Sequence, residues 1–194
     1  MSWQAGAGAA RTIVLALGSN LGDRLANLQD GIAVLCGGGL HCAAVSAVFQ
    51  TAPVGGPDQD DYLNAVLLAD SALSAAEILA RCQRAEAALG RVRTVRWGPR
   101  TLDVDVIAVG AEVSAAPGLT LPHPRAHERA FVLAPWLDVA PDAALPGYGS
   151  VARLLAGAPD RDGVHRLSEA AACLTLPAEP GHAETGEEAD RACR

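Results

Sequence analysis

Apolar positions along the chain fall into short runs and helical stripes that alternate in type. Thr12 to Leu17 (T-I-V-L-A-L) is a compact apolar run and reads as a buried strand. It leads into Gly18-Ser19-Asn20-Leu21-Gly22-Asp23, a turn-rich loop that opens a helix from about Arg24 to Cys36. In that helix Leu25, Leu28, Ile32 and Leu35 recur at helical spacing and form an inward stripe. Gly37-Gly38-Gly39 ends it. His41 to Gln50 reads as a second strand, with Ala43, Val45, Ala47 and Phe49 on one face, and Tyr62 to Ala69 as a third. Between these two strands runs Thr51 to Asp61, a long Pro-, Gly- and Asp-rich loop of the kind that carries function. Ser74-Ala75-Ala76-Glu77 has the form of a capping box. The helix it opens places Ile78, Leu79, Cys82, Ala85 and Leu89 inward before Gly90 stops it. Glu86 lies in its last turn, where a negative charge opposes the helix dipole; either a functional role or a neighbouring arginine would account for it.

Leu102 to Val109 is a fourth, β-branched strand. A turn with a minor strand or loop (Gly110 to Thr120) comes next. It is followed by a helix carrying Phe131, Val132, Leu133 and Trp136, and by a short one from Val151 to Ala156. The order strand, helix, strand, strand, helix, strand is that of the ferredoxin-like β-α-β-β-α-β arrangement. It belongs to the α+β class: an antiparallel sheet with helices packed on it, here with extra C-terminal helices. One domain is expected over 11–168. Beyond it, 169–194 is expected to be an acidic, flexible tail, since Glu179, Glu184, Glu187, Glu188 and Asp190 face only two arginines there.

At 194 residues, 50% hydrophobic and 19% charged, the chain can bury a sizeable core. A net charge of −7 argues against general attraction to nucleic acid or to an anionic membrane surface. All 15 basic residues are arginine. The absence of lysine excludes a Walker A loop, the strand lysine of protein kinases and Schiff-base chemistry. Five scattered cysteines without a C-x-x-C pair are expected to be reduced thiols, Cys36 and Cys82 acting as small apolar residues. With no visible signal peptide or membrane span, a cytoplasmic monomer is expected.

The chemistry concentrates between Arg91 and Val109. Arg91, Arg93, Arg96 and Arg100 put four guanidinium groups within ten residues, in an acidic protein. Asp103 and Asp105 stand two apart at the mouth of the strand, so both carboxylates project from one face while Leu102, Val104 and Val106 take the other. A solvated strand start beside a basic loop would explain the aspartates alone. Joined to the arginines, they point to Mg²⁺, which takes one or two carboxylates plus substrate phosphate, the guanidinium forks gripping the phosphate oxygens. His123 and His127, four apart, resemble half a zinc site, but Pro124 and the missing H-E-x-x-H pattern favour ordinary surface histidines.

Four motifs then occur in order: A-L-G-S-N-L-G-D at 16–23, T-A-P-V-G-G-P-D-Q-D-D-Y-L-N at 51–64, G-R-V-R…R-W-G-P-R-T-L-D-V-D at 90–105 and L-P-H-P-R-A-H-E-R-A-F at 121–131. Together they resemble the 6-hydroxymethyl-7,8-dihydropterin pyrophosphokinase family of folate biosynthesis, over roughly residues 12–150. The resemblance implies transfer of the β,γ-diphosphate of ATP, the co-substrate, to the pterin hydroxymethyl group with release of AMP. It implies two Mg²⁺ ions on Asp103 and Asp105, and phosphate contacts from Arg91, Arg93, Arg96 and Arg100, with Trp97 on the same loop. Gln83, Glu86, Val106 and Thr120 would line the nucleotide pocket, with His123 and Arg129 on its phosphates. Tyr62 and Phe131 would sandwich the pterin, Asn64 would bond its edge, Thr51 and Val54 would offer backbone groups, and Trp97 and Asp103 would also face the ring. The chain departs from some members at Pro124, Gly118 and Thr94. A rival reading, a non-catalytic ferredoxin-like nucleotide- or RNA-binding module, predicts a basic surface or an RNP pattern, and the chain has neither.

Overall fold

The computed structural model describes residues 9–53, 59–91, 98–116 and 118–178. Strand β1 (Arg11–Ser19), helix α1 (Arg24–Leu35), strands β2 (Leu40–Val45), β3 (Phe49–Thr51) and β4 (Tyr62–Ser71), helix α2 (Ala75–Ala88) and strand β5 (Asp103–Val109) come first. A hairpin of β6 (Ser114–Ala116) and β7 (Leu119–Leu121), helix α3 (Ala130–Val139), and the short pair β8 (Ala144–Leu145) and β9 (Gly149–Ser150) follow. Helix α4 (Val151–Gly157) and strand β10 (Val164–Arg166) come last, with short 3-10 turns at Ala126–Glu128 and Arg161–Gly163. The main sheet runs β10-β3-β4-β1-β5, with β2 also on β4, and every pairing is antiparallel. This is the expected ferredoxin-like α+β class.

Alternate residues of the central strands serve two cores. Ile13, Leu15 and Leu17 of β1 join Leu28, Ile32 and Leu35 of α1 and Ile78, Cys82 and Ala85 of α2. Val14, Val66 and Ile107 face the other way, against Val132, Leu133 and Trp136 of α3 and Val151 of α4. The C-terminal helices thus close the sheet's second face, and a sheet covered on both sides needs apolar residues at consecutive positions. Each fully buried aliphatic side chain contributes roughly 1.5–3 kcal/mol. Local signals start and stop the helices. Asp23 accepts the Ala26 amide at the head of α1, and Ser74 and Glu77 form the capping box of α2. Gly90, at φ 73°, takes the left-handed turn after α2 that a side chain would resist.

Four expectations need correction. The single strand His41–Gln50 is two, β2 and β3, both on β4. In the gap between them the Ser46 hydroxyl accepts the Val66 amide at 2.9 Å, replacing a ladder carbonyl. A bulge between Cys42 and Ala44 turns Ala43 out to solvent, so the expected Ala43–Phe49 face does not form. Cys36 and Cys42 are not reduced: the glycine turn between them brings their Cα atoms to 5.6 Å and they form a disulfide. Cys82 is free, and burial pushes its thiol up to about 12. Finally, the expected tail is packed over its first part. Ala172 and Leu174 are buried in the α1–α2 core, and Gln29 exchanges hydrogen bonds with the Thr175 backbone, both at 2.9 Å. A neutral side-chain amide there satisfies the backbone of a segment with no strand partner. The remainder, 179–194, lies outside the described residues. Among the described residues no helix is long and apolar enough to cross a membrane.

Candidate active site

Cross-strand register builds the floor of the site. Gly18 of β1 stands between Asn64 of β4 and Asp103 of β5, and Ala16 between Val66 and Asp105. The middle strand thus contributes almost no side chain where its neighbours contribute amide and carboxylates. A cavity of ≈ 610 Å³ opens there, walled by Thr51, Tyr62, Arg100, Arg129 and Phe131. A methyl group on Gly18 would stand 3.4 Å from Asn64 Oδ1 and 3.6 Å from the Tyr62 ring, taking up part of that floor.

The two aspartates share the cavity but not the same surroundings. Asp103 Oδ1 accepts from Arg91 Nη1 at 2.5 Å, and Oδ2 from Arg100 Nη1 at 2.7 Å. Arg91 also pairs with Glu86, a buried carboxylate that accepts the Val104 amide at 2.9 Å. The ill-placed acid of α2 is therefore the clamp that fixes the start of β5 and turns Arg91 toward Asp103. Asp105 has looser company: Arg129 Nη1 at 3.6 Å and His123 Nε2 at 3.8 Å. Partial burial, then the nearby Asp103 charge, raises the Asp105 pKa above its ordinary value. Burial lowers that of His123 against the pull of Asp105. Its Nδ1 accepts the Arg125 amide at 3.2 Å, which leaves Nε2 as the edge toward Asp105.

Two hard carboxylates on one cavity, one of them unfavourably charged, are a donor set suited to a divalent cation with phosphate oxygens. Beside the carboxylates, the same cavity suits a flat ring. Tyr62 and Phe131 line it, burial raises the Tyr62 phenol pKa, and Asn64 Nδ2 donates to Thr51 Oγ1 at 2.9 Å. The Arg129 guanidinium lies 5.4 Å from the Phe131 ring centroid, so a charged group and a ring face adjoin there.

Of the residues singled out from sequence, Thr51, Tyr62, Asn64, Arg100, Asp103, Asp105, Arg129 and Phe131 share this cavity. Glu86, Arg91 and His123 reach its aspartates or their arginines. Gln83, Val106 and Thr120 do not line it. They sit on α2, β5 and β7, three elements in mutual contact; Val106 is in the core, and Gln83 and Thr120 are exposed. Val54, Arg93, Arg96 and Trp97 lie outside the described residues. His127 stacks on Tyr148, ring centroids 4.3 Å apart, with its buried Nδ1 unpartnered, so it is not the satisfied surface residue expected.

Sequence reasoning passed over Asn20. It is 1% exposed, gives its amide N–H to the Arg100 carbonyl at 3.1 Å and accepts the Arg100 amide on Oδ1 at 2.9 Å. Its Nδ2 donates to Gln59 Oε1 at 2.8 Å and to the Asp60 carbonyl at 3.3 Å. One side chain thus joins the loop after β1, the loop before β4 and the residue entering β5. In sequence it looked like any turn asparagine.

An antiparallel α+β sheet with paired carboxylates, arginines and an aromatic slot on one cavity has the make-up of a site for a polyanion beside a flat heterocycle. The family model described as 7,8-dihydro-6-hydroxymethylpterin-pyrophosphokinase (HPPK) matches residues 14–141, and the chain belongs to that family. It is 48% identical over 167 residues to the 2-amino-4-hydroxy-6-hydroxymethyldihydropteridine pyrophosphokinase of Mycobacterium tuberculosis (strain ATCC 25618 / H37Rv), covering 78% of this chain and 87% of that one. With the enzyme of the same name from Methylorubrum extorquens it shares 47% over 135 residues, 69% of this chain and 85% of that one. The solved Plasmodium falciparum HPPK-DHPS with STZ-DHP shares the fold at a TM-score of 0.61 and 10% identity, over 77% of this chain and 43% of the larger one. Nothing in these likenesses supports a nucleic-acid-binding module.

Proposed function

We propose that the chain transfers the diphosphate of ATP to the hydroxymethyl oxygen of 6-hydroxymethyl-7,8-dihydropterin, yielding the pterin diphosphate and AMP, as a step of folate biosynthesis. The observation that supports this most is the shared cavity: Asp103 and Asp105 open onto the same space as Tyr62, Asn64 and Phe131. Such a transfer needs two reactants held in line and the negative charge of the donor offset, more than it needs covalent help.

The residues divide that work. Tyr62 and Phe131 hold the ring by its faces, and Asn64, braced by Thr51, bonds its edge. Arg100 and Arg91 bring positive charge to the place where the transferred group passes, and Arg129 and His123 do so on the Asp105 side. Arg93, Arg96 and Trp97 are assigned to closing over the nucleotide, and Val54 to a backbone contact with the pterin. Gln83, Glu86, Val106 and Thr120 are assigned to the nucleotide's base and ribose side. Asp103 and Asp105 would hold two Mg²⁺ ions, which would supply positive charge against that of the triphosphate. The protein acts as a cytoplasmic monomer on small molecules, without nucleic acid or membrane.

Incubating the purified chain with ATP, the pterin and Mg²⁺, and separating nucleotides by chromatography, tests the reading. AMP should appear in step with pterin diphosphate. A folded protein that forms ADP or no product contradicts it.

A further inference from the structure

We propose that Asp160 is a positioning residue for the reaction, acting through the backbone of Ala130 on the side chains either side of it, Arg129 and Phe131. Asp160 lies on the turn between α4 and β10 and is part of the cavity wall, with Pro159. Its carboxylate accepts the Ala130 N–H through Oδ1 at 2.9 Å and Oδ2 at 3.2 Å, thirty residues away in sequence. That amide is the first donor of α3, and Arg129, at the N-cap, supplies no side-chain cap of its own. A carboxylate there satisfies the donor and suits the positive end of the helix dipole. It also fixes where the first turn of α3 sits.

That first turn matters because of what flanks Ala130. Arg129 comes within 3.6 Å of Asp105, and its guanidinium is 5.4 Å from the Phe131 ring centroid. A small shift of the Ala130 backbone displaces the charged group and the ring face together. The turn is held from the other side as well: four residues on, Val164 of β10 pairs in register with Thr51 of β3. Asp160 therefore ties the wall carrying Phe131 to the wall carrying Thr51, and sets the spacing between them. A mere helix cap would change stability and leave substrate affinity alone.

The inference rests on Phe131 and Arg129 facing substrate, so the test includes a control for that reading. Steady-state KM for pterin and for ATP, kcat and melting temperature are compared for wild type, Asp160→Ala, Asp160→Asn and Phe131→Ala, assayed well below the lowest melting point. Asp160→Ala should raise the pterin KM about tenfold and lower kcat several-fold. Asp160→Asn, which keeps an acceptor for the Ala130 amide, should recover most of both. A change in melting temperature alone overturns the proposal. If Asp160→Ala does not fold, Asp160→Ser replaces it in the same comparison with Asp160→Asn. Phe131→Ala without effect on pterin KM would overturn the site reading itself. Phe131→Ala impaired while Asp160→Ala matches wild type would overturn the role of Asp160 alone.

Discussion

At one end of β5, Ile107, Ala108 and Val109 are no more than 4% exposed and touch aliphatic neighbours on both faces of the sheet. At the other, Asp103 and Asp105 open onto a cavity with arginines and a histidine around them, while Val104 between them is still core. The neighbouring strand explains the contrast. Beside the far end β1 offers Ile13 and Val14; beside the aspartates it offers Ala16 and Gly18. Side-chain volume holds the sheet together at one end, and its absence makes room for substrate at the other. Stability and chemistry are therefore separable along seven residues of one strand.

Substitutions at the two ends should have opposite signatures. Asp103→Ala and Asp105→Ala should each cut turnover about 1,000-fold or more, roughly 4 kcal/mol of transition-state stabilisation. Circular dichroism and cooperative melting should stay near wild type. Ile107→Ala, two residues on, should cost roughly 2–5 kcal/mol of stability by leaving a cavity. Its kcat, measured well below the melting temperature, should remain within about twofold of wild type. If Ile107→Ala lost activity while folded, or an aspartate variant unfolded, the separation would fail.

Asn20→Ala tests the joint between the loops. It removes the acceptor for the Arg100 amide and the donors to Gln59 and Asp60, so it should cost about 1–3 kcal/mol of stability. Because Arg100 is displaced from Asp103, kcat should also fall, by about tenfold. The smallest effect belongs to Asp105→Asn in the absence of ligand. The raised pKa of Asp105 means the folded chain holds that proton more tightly than the unfolded chain does. The ionised form then costs stability at neutral pH, so the asparagine variant should melt slightly higher while losing activity. That gain should be full above the folded pKa and fade as pH falls toward the unfolded value. Scanning calorimetry between pH 4 and pH 8 checks it.

The contrast along β5 also shows which parts of the molecule the chain declares locally. Leu102–Val109, the Ser74–Glu77 box and the paired aspartates follow from period and capping alone, because each depends on neighbours a few residues away. Ser46 replacing a ladder carbonyl, Asn20 bridging two loops, and Val164–Arg166 adding a strand beside β3 depend on partners 20 to 117 residues distant. No periodicity encodes such pairings. Cys36 and Cys42 were expected to be reduced, Cys36 as a small apolar residue, because spacing says nothing about how a glycine turn folds back. Ala172 and Leu174 were hidden because the acidic residues that follow from Glu179 on coloured the reading of the whole segment, although these two apolar side chains reach the core.

The claim on which the rest depends is that Asp103 and Asp105 jointly hold divalent cations for the nucleotide. Titrating Mn²⁺ into the protein with a non-hydrolysable ATP analogue, and counting bound ions by electron paramagnetic resonance, addresses it directly. Wild type should retain two ions per chain at saturation, and Asp103→Ala and Asp105→Ala should each lose at least one. Unchanged stoichiometry and affinity in both variants would contradict the account.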